Sequence, residues 1–410
     1  MSKRLRGLAI AAALTVAAPA AQAFPDAKVE TQLRPCFGLL TDPAVAKRCQ
    51  GGKKRHYDRG DYNKVYCDRA RPGDVSRKLA GMPAGSTLYL VANTRACEDS
   101  LDITRSITII GEGSARAHLQ ALSGRPCVTV RGDVRDVTLA DLRIATDHAG
   151  GVGCIAAQGR DLKLDHTLVK YDGDASAITV RGGGLLTLQR DTHVVALSRE
   201  AAVDVEGVLE TRNASIFAAR YGLRIAPQGD SRLDDLSIVR LDDWTGSERV
   251  QSSGGLVVRD GAGRLVQVNG GKIDGFSRGL MVLGQDEVMI ERAKILGADW
   301  AVTSNGRRLR VVGSEIEAVE VGVYVDTGEA WVGDNTFFGV RRAGMYAESG
   351  ARVRARDNAV YAHADGCQRL DLGGFNQDRS SLSCRPWYEA PEIWRNRRDV
   401  NRPRYGEIWS

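Results

Sequence analysis

Lys272 and Lys294 stand one repeat apart, at the same step that separates Gly284, Gly306, Gly328 and Gly350. If the repeat stacks, the two ammonium groups become neighbours. Like charges held close favour an anionic ligand between them, or a depressed pKa on one amine and hence a base for proton abstraction. Arg240 and Arg292 flank the same region and suit a carboxylate ligand. Asp235, Asp242 and Asp243 add carboxylates that could work as an acid–base pair or hold Ca²⁺. The plainer reading makes Lys272 and Lys294 solvated charges of a surface. The six histidines are scattered, and no Cys-x-x-Cys or Cys/His spacing suggests a metal site.

The elements that must carry these residues come from the repeat. Ten times a short apolar strand ends in a glycine: Gly132, Gly159, Gly182, Gly207, Gly229, Gly261, Gly284, Gly306, Gly328 and Gly350. Units of this length cannot bury their own apolar face and must stack on their neighbours. Between Arg307 and Gly328, Leu309 and Val311 alternate with Arg308 and Arg310, and Val323 and Val325 alternate with Tyr324 and Asp326. A third short strand lies around Ile316. Period two is the strand signature, and no 3.6-residue apolar stripe persists between residues 100 and 360. Three short strands and three turns fill one repeat, which makes it one coil of a parallel β-helix. Roughly ten or eleven coils at about 4.8 Å each give a rod about 50 Å long. The leucine-rich-repeat spacing is missing, and a propeller blade needs about twice the period. Asn213, Asn335 and Asn358 open strands in separate coils, where stacked carboxamides can bond along the rod. The step from Gly229 to Gly261 is about half as long again as the repeat, so an insertion within residues 241–255 is expected to loop out and wall one face.

Two segments carry a resemblance. Residues 72–90 (Pro-Gly-Asp-Val-Ser-Arg-Lys-Leu-Ala-Gly-Met-Pro-Ala-Gly-Ser-Thr-Leu-Tyr-Leu) and 106–113 (Ser-Ile-Thr-Ile-Ile-Gly-Glu-Gly) resemble the opening of right-handed parallel β-helix proteins of the pectin-lyase-like superfamily. The likeness covers most of residues 72–362. It implies an all-β, single-stranded right-handed parallel β-helix capped by a short helix. It also implies an acidic polysaccharide bound along one face walled by loops. On that pattern the chain acts on or binds that polysaccharide, and as an enzyme it would be a uronate lyase or C5-epimerase. Lys272 or Lys294 removes the C5 proton, while Arg240, Arg292 or Ca²⁺ neutralises the sugar carboxylate. Asp235, Asp242, Asp243 and Trp244 then hold substrate, Trp244 by stacking on a ring. The superfamily also holds hydrolases, adhesins and non-catalytic proteins. The alternative is therefore a non-catalytic envelope or surface protein that uses the rod as a glycan-binding face or spacer. Asp-Asp occurs at 234–235 and 242–243, but Gly-His-Gly and Arg-Ile-Lys do not, which disfavours a polygalacturonase. Asp147-His148 is only half of the Asp-Pro-His-Asp motif of periplasmic mannuronan epimerases.

Residues 1–23 read as a secretory leader: Lys3, Arg4 and Arg6, an apolar run from Leu8 to Ala18, then Ala21-Gln22-Ala23. The run is too short to span a bilayer, so a periplasmic or extracellular protein without a transmembrane anchor is expected. All eight cysteines follow the leader, and an even count in an exported chain implies disulfides. Cys127 and Cys154 lie at equal offsets before the repeat glycines Gly132 and Gly159, so they share a column and should bridge. Cys367 pairs most simply with Cys384, leaving Cys36, Cys49, Cys67 and Cys97 with three possible pairings. Loss of the leader lowers the formal net charge from +6 to +3, too weak to argue for nucleic acid. The expected organisation is a cap over residues 24–86, the β-helix over 87–362 and a second cap over 363–410. In the first cap, a helix over 74–80 has Asp74 as N-cap and Gly81 as stop, with Val75 and Leu79 plugging the open end of the core.

Overall fold

The computed structural model describes residues 63–391, apart from 116, 133, 147–150, 159–160, 242–252, 262, 364–369 and 372–381. These residues belong to one compact unit, 55–410. They form a parallel β-solenoid of about 12 turns, close to the expected coil count. Each turn visits three parallel ladders, here called A, B and C. In one coil, Arg278–Val282 lies in ladder A and Glu287–Glu291 in ladder B. The following strand, Lys294–Ser304, starts in ladder C and turns the corner into ladder A of the next coil.

The register is regular because one apolar pattern recurs. In ladder A, Leu256, Leu280, Val302, Val323 and Met345 stand opposite one another in successive coils, all buried. Each such side chain is worth about 1.5–3 kcal/mol of burial. The residue just before this column is small. At Gly222, Gly255 and Gly279 a Cβ would collide with Cγ2 of Ile238, Ile273 and Ile295, which point inward from ladder C. Cys127 and Cys154 occupy the same small-residue column and form a disulfide with Cα atoms 4.8 Å apart, as their spacing predicts. Cys67 pairs with Cys97, which selects among the three pairings left open. Cys384 is also disulfide-bonded. Cys36, Cys49 and Cys367 lie outside the described residues.

Between ladders B and C one or two residues per coil take the left-handed conformation. The column runs Asp141, His166, the pair Arg190 and Asp191, Asn213, Asp235, the glycine pair Gly270 and Gly271, Arg292, Gly313, Asp334 and Asp357. Short polar side chains and glycine tolerate this geometry best. Asn213 belongs here, with φ 54° and its carboxamide donating to Asp191. It is therefore not in the column of Asn335 and Asn358, which lies one residue later and points inward. Those two do stack: Asn335 Nδ2 donates to Asn358 Oδ1 at 3.0 Å, and Asn335 Oδ1 accepts from the Ser314 N–H at 2.9 Å.

The capping helix spans Asp74–Ala80 and buries Val75 and Leu79. Its N-cap is Gly73 (φ 84°) rather than Asp74. The Asp74 carboxylate accepts instead from the Arg71 N–H and from Arg77, which places it inside the first turn. The expected insertion leaves ladder C at Leu241 and the chain re-enters at Ser253, just before the ladder A strand Gly254–Val258. Asp242, Asp243 and Trp244 lie outside the described residues, as do the leader and Asp147-His148.

Candidate functional site

Lys272 and Lys294 are directly opposite each other in adjacent coils of ladder C. Each ammonium already holds a carboxylate: Lys272 Nζ meets Asp274 at 3.2 Å and Lys294 Nζ meets Glu315 at 3.0 Å. The repulsion expected of a bare lysine pair is thus offset locally. Asp235 and Arg292 occupy the left-handed corner next to these lysines, two coils apart, with Gly270 between them. The Asp235 carboxylate lies against Gly270, where a Cβ would come within 2.7 Å of Oδ1. Arg240 is at the far end of its ladder C strand and donates to the Gly275 carbonyl at 3.5 Å. The structure therefore gathers Asp235, Lys272, Arg292 and Lys294 at one corner and leaves Arg240 away from them.

The outward side of ladder A carries a different arrangement. Asp204, whose side chain is 3% exposed, accepts from three guanidinium groups. Arg181 reaches it from the coil before at 2.9 Å, Arg224 from the coil after at 3.1 Å and Arg259 from two coils after at 3.0 Å. Burial raises the pKa of Asp204, but the arginines, Arg181 first, more than reverse this and leave it below the usual carboxylate value. Arg181 also meets Glu206 at 3.3 Å and Arg224 meets Glu200 at 2.7 Å. Three cations face three anions, so the cluster is balanced and ties four coils together.

Further along the same face lies an aromatic strip. Trp300 meets Tyr324 edge-on at 5.2 Å between ring centroids, and Tyr324 stacks on Tyr346 at 5.4 Å. Arg342 sits over the Tyr346 ring at 5.8 Å. The Tyr324 hydroxyl donates to Glu348 at 3.2 Å, and burial together with that carboxylate pushes its pKa up to about 12. Val257, Met281 and Thr303 continue the row from Arg224 to Tyr324, and Leu283 beside them is 46% exposed.

Along the corner where ladder C turns into ladder A stand Arg220, Arg278 and Arg342. None of the three forms an ion pair with a described residue. Arg220 lies over Tyr221 at 5.2 Å, and its buried Nε has no hydrogen-bond partner. Arg278 is level with Trp300 in the register. Asp299 and Glu320 lie on the same corner, between Arg278 and Arg342 in sequence.

No family model, curated protein or solved structure matches this chain. What the face can do therefore follows from its side chains. Aromatic rings beside guanidinium groups and carboxylates suit a sugar chain: rings stack on pyranose faces, arginines take carboxylates, and Asp299 and Glu320 can accept from hydroxyls. His166 is a turn residue bonded to Asp141 at 2.6 Å, and His193 is buried beside Phe217, with burial lowering its pKa. Among the described residues no three His, Cys, Asp or Glu side chains are placed to hold a metal ion. The strip was missed in the sequence because Trp300, Tyr324 and Tyr346 lie in different repeats. Their spacings, each close to the repeat step, are the signal that marks them as neighbours.

Proposed function

We propose that this is an exported solenoid protein that binds an acidic polysaccharide along the outward side of ladder A. The observation that carries the reading is the Trp300–Tyr324–Tyr346 strip bordered by Arg278 and Arg342, neither of which is ion-paired to a described residue. Export is supported by the leader-like residues 1–23 and by two disulfides, Cys67–Cys97 and Cys127–Cys154, which persist in oxidising compartments. Binding rather than turnover is favoured because Lys272 and Lys294 are both committed to carboxylates.

The second reading, a uronate lyase or C5-epimerase, draws support from the in-register stacking of Lys272 and Lys294 next to Arg292. A lyase would need one of these amines freed from its carboxylate and deprotonated to solvent, with the neighbouring ammonium favouring the neutral form, before it could take the C5 proton. Ultraviolet absorbance of the chain mixed with a panel of uronic-acid polysaccharides, with and without Ca²⁺, separates binding from the lyase, and proton NMR of the recovered polysaccharide, which reads the C5 configuration, separates binding from the epimerase. Retention of the protein by such a polysaccharide with no new absorbance is the expected result. Absorbance from an unsaturated uronate, abolished by Lys272→Ala or Lys294→Ala, would replace binding with the lyase reading.

A further inference from the structure

A second aromatic residue stands in the open on another side of the rod. Trp331 is 39% exposed in the middle of ladder B. Its indole leans along its own strand over Gly333, where a Cβ would come within 2.9 Å of Nε1. The bare backbone at Gly333 thus makes the space the ring occupies. In the register Arg310 lies opposite Trp331 in the coil before and Arg354 opposite it in the coil after. Two coil steps separate these arginines, about 10 Å, comparable to the length of a disaccharide.

The charges around Trp331 are unusual for a surface that only needs to stay soluble. Arg352, Arg354 and Arg356 all point outward from one strand, Ala343–Arg356, about 7 Å apart. Arg354 makes no ion pair with any described residue. Arg310 and Arg352 reach carboxylates only at 4.0 and 3.9 Å, on Glu291 and Glu329. Arg308 and Arg356 are better held, by Glu287 at 3.2 Å and Asp357 at 3.0 Å. Arginines on a strand can discourage edge-to-edge association, but an exposed indole among them works against that purpose.

We propose that Trp331, Arg310 and Arg354 form a second seat for acidic polysaccharide, on ladder B and separate from the ladder A strip. The indole stacks on one sugar ring while the guanidinium groups on either side take the carboxylates that flank it. The seat takes its ligand class from the reading of ladder A but rests on its own residues. Two seats on one rigid rod would let a single long chain bind with gain in avidity over short oligomers.

The test is calorimetric titration of the full chain with polygalacturonate. Three variants are compared with wild type: Trp331→Ala, Arg310→Gln/Arg354→Gln and Tyr324→Ala/Tyr346→Ala, each checked by thermal unfolding. All altered side chains are surface-facing. The seat predicts that Trp331→Ala and the arginine pair each weaken binding at least about fivefold, and that the arginine pair also shrinks its salt dependence. Wild-type affinity in both, with loss in the tyrosine pair, overturns the second seat and leaves ladder A standing. The reverse pattern keeps the seat and removes ladder A. Stronger Trp331-dependent binding to single-stranded nucleic acid than to the glycan overturns the ligand class proposed here, and absence of any glycan binding by wild type overturns both seats.

Discussion

Tyr324 and Tyr346 occupy the same outward position of successive coils, and their rings stack 5.4 Å apart with 27° between planes. The solenoid register brings them together, since they lie a full repeat apart along the chain. Their stacking leaves a continuous aromatic surface next to Trp300 and Arg342. Replacing both by alanine should weaken binding of an acidic oligosaccharide about tenfold or more; loss of the stacked pair also costs about 1 kcal/mol or more of stability, so binding is compared well below the unfolding transition. Titration of the variant and wild type side by side checks this.

Asp204 is the hub of ladder A's polar end. Asp204→Asn removes the negative charge from Arg181, Arg224 and Arg259 and should cost about 3 kcal/mol, the scale for stripping one partner from a buried ion pair. The arginines are part-exposed, which keeps the cost at the lower end of that range. Because the folded pKa lies below the unfolded value of about 3.9, the contribution is present above that value and is lost as pH falls through the folded one. Wild type should therefore lose stability on acidification below about pH 4 more steeply than Asp204→Asn. Denaturant unfolding at several pH values measures the difference; parallel curves would contradict the role given to Asp204.

The Cys127–Cys154 bridge joins neighbouring coils across a sequence separation of 27. Cys127→Ala/Cys154→Ala should lower stability by about 3.5 kcal/mol under the loop-entropy account. Both sulfurs sit in a column of small residues, so alanine fits without strain. A guanidinium melt of the double variant tests it, with an unchanged midpoint as the contrary result.

The asparagine ladder makes a third stability test. Asn335→Ala removes the side-chain partners of the Ser314 N–H and the Val311 carbonyl, while Asn358 Oδ1 keeps only the Asn335 backbone N–H. Loss of about 2 kcal/mol is expected, read from the same melts. Asn213 lies outside that ladder; Asn213→Ala loses an exposed contact to Asp191 and should cost mainly through left-handed backbone geometry, so Asn213→Gly should recover most of it.

Much of the fold was legible in the chain. The glycine step and the period-two alternation of residues such as Leu309 and Val311 state the coil, and the equal offsets of Cys127 and Cys154 from Gly132 and Gly159 state the bridge. The site was less legible for a physical reason. Lys272 and Lys294 are as close as their spacing requires, but Asp274 and Glu315, which neutralise them, come from the same strand and the next coil. A one-dimensional reading sees the stacked cations more readily than the anions beside them. A left-handed Gly73 and a left-handed turn column shift the roles of Asp74 and Asn213 by one position from what their residue types alone suggest. Trp331 and its flanking arginines alternate correctly for a strand, and only the register shows that they form one patch.

The most direct test of the central claim is calorimetric titration of wild-type protein with a uronic-acid oligosaccharide and with the same oligosaccharide after reduction of its carboxyl groups. The account predicts saturable binding of the acidic form, weakened by salt, and at least about tenfold weaker binding of the reduced form. Equal affinity for the two forms, or no binding of either, would contradict recognition of an acidic polysaccharide by this rod.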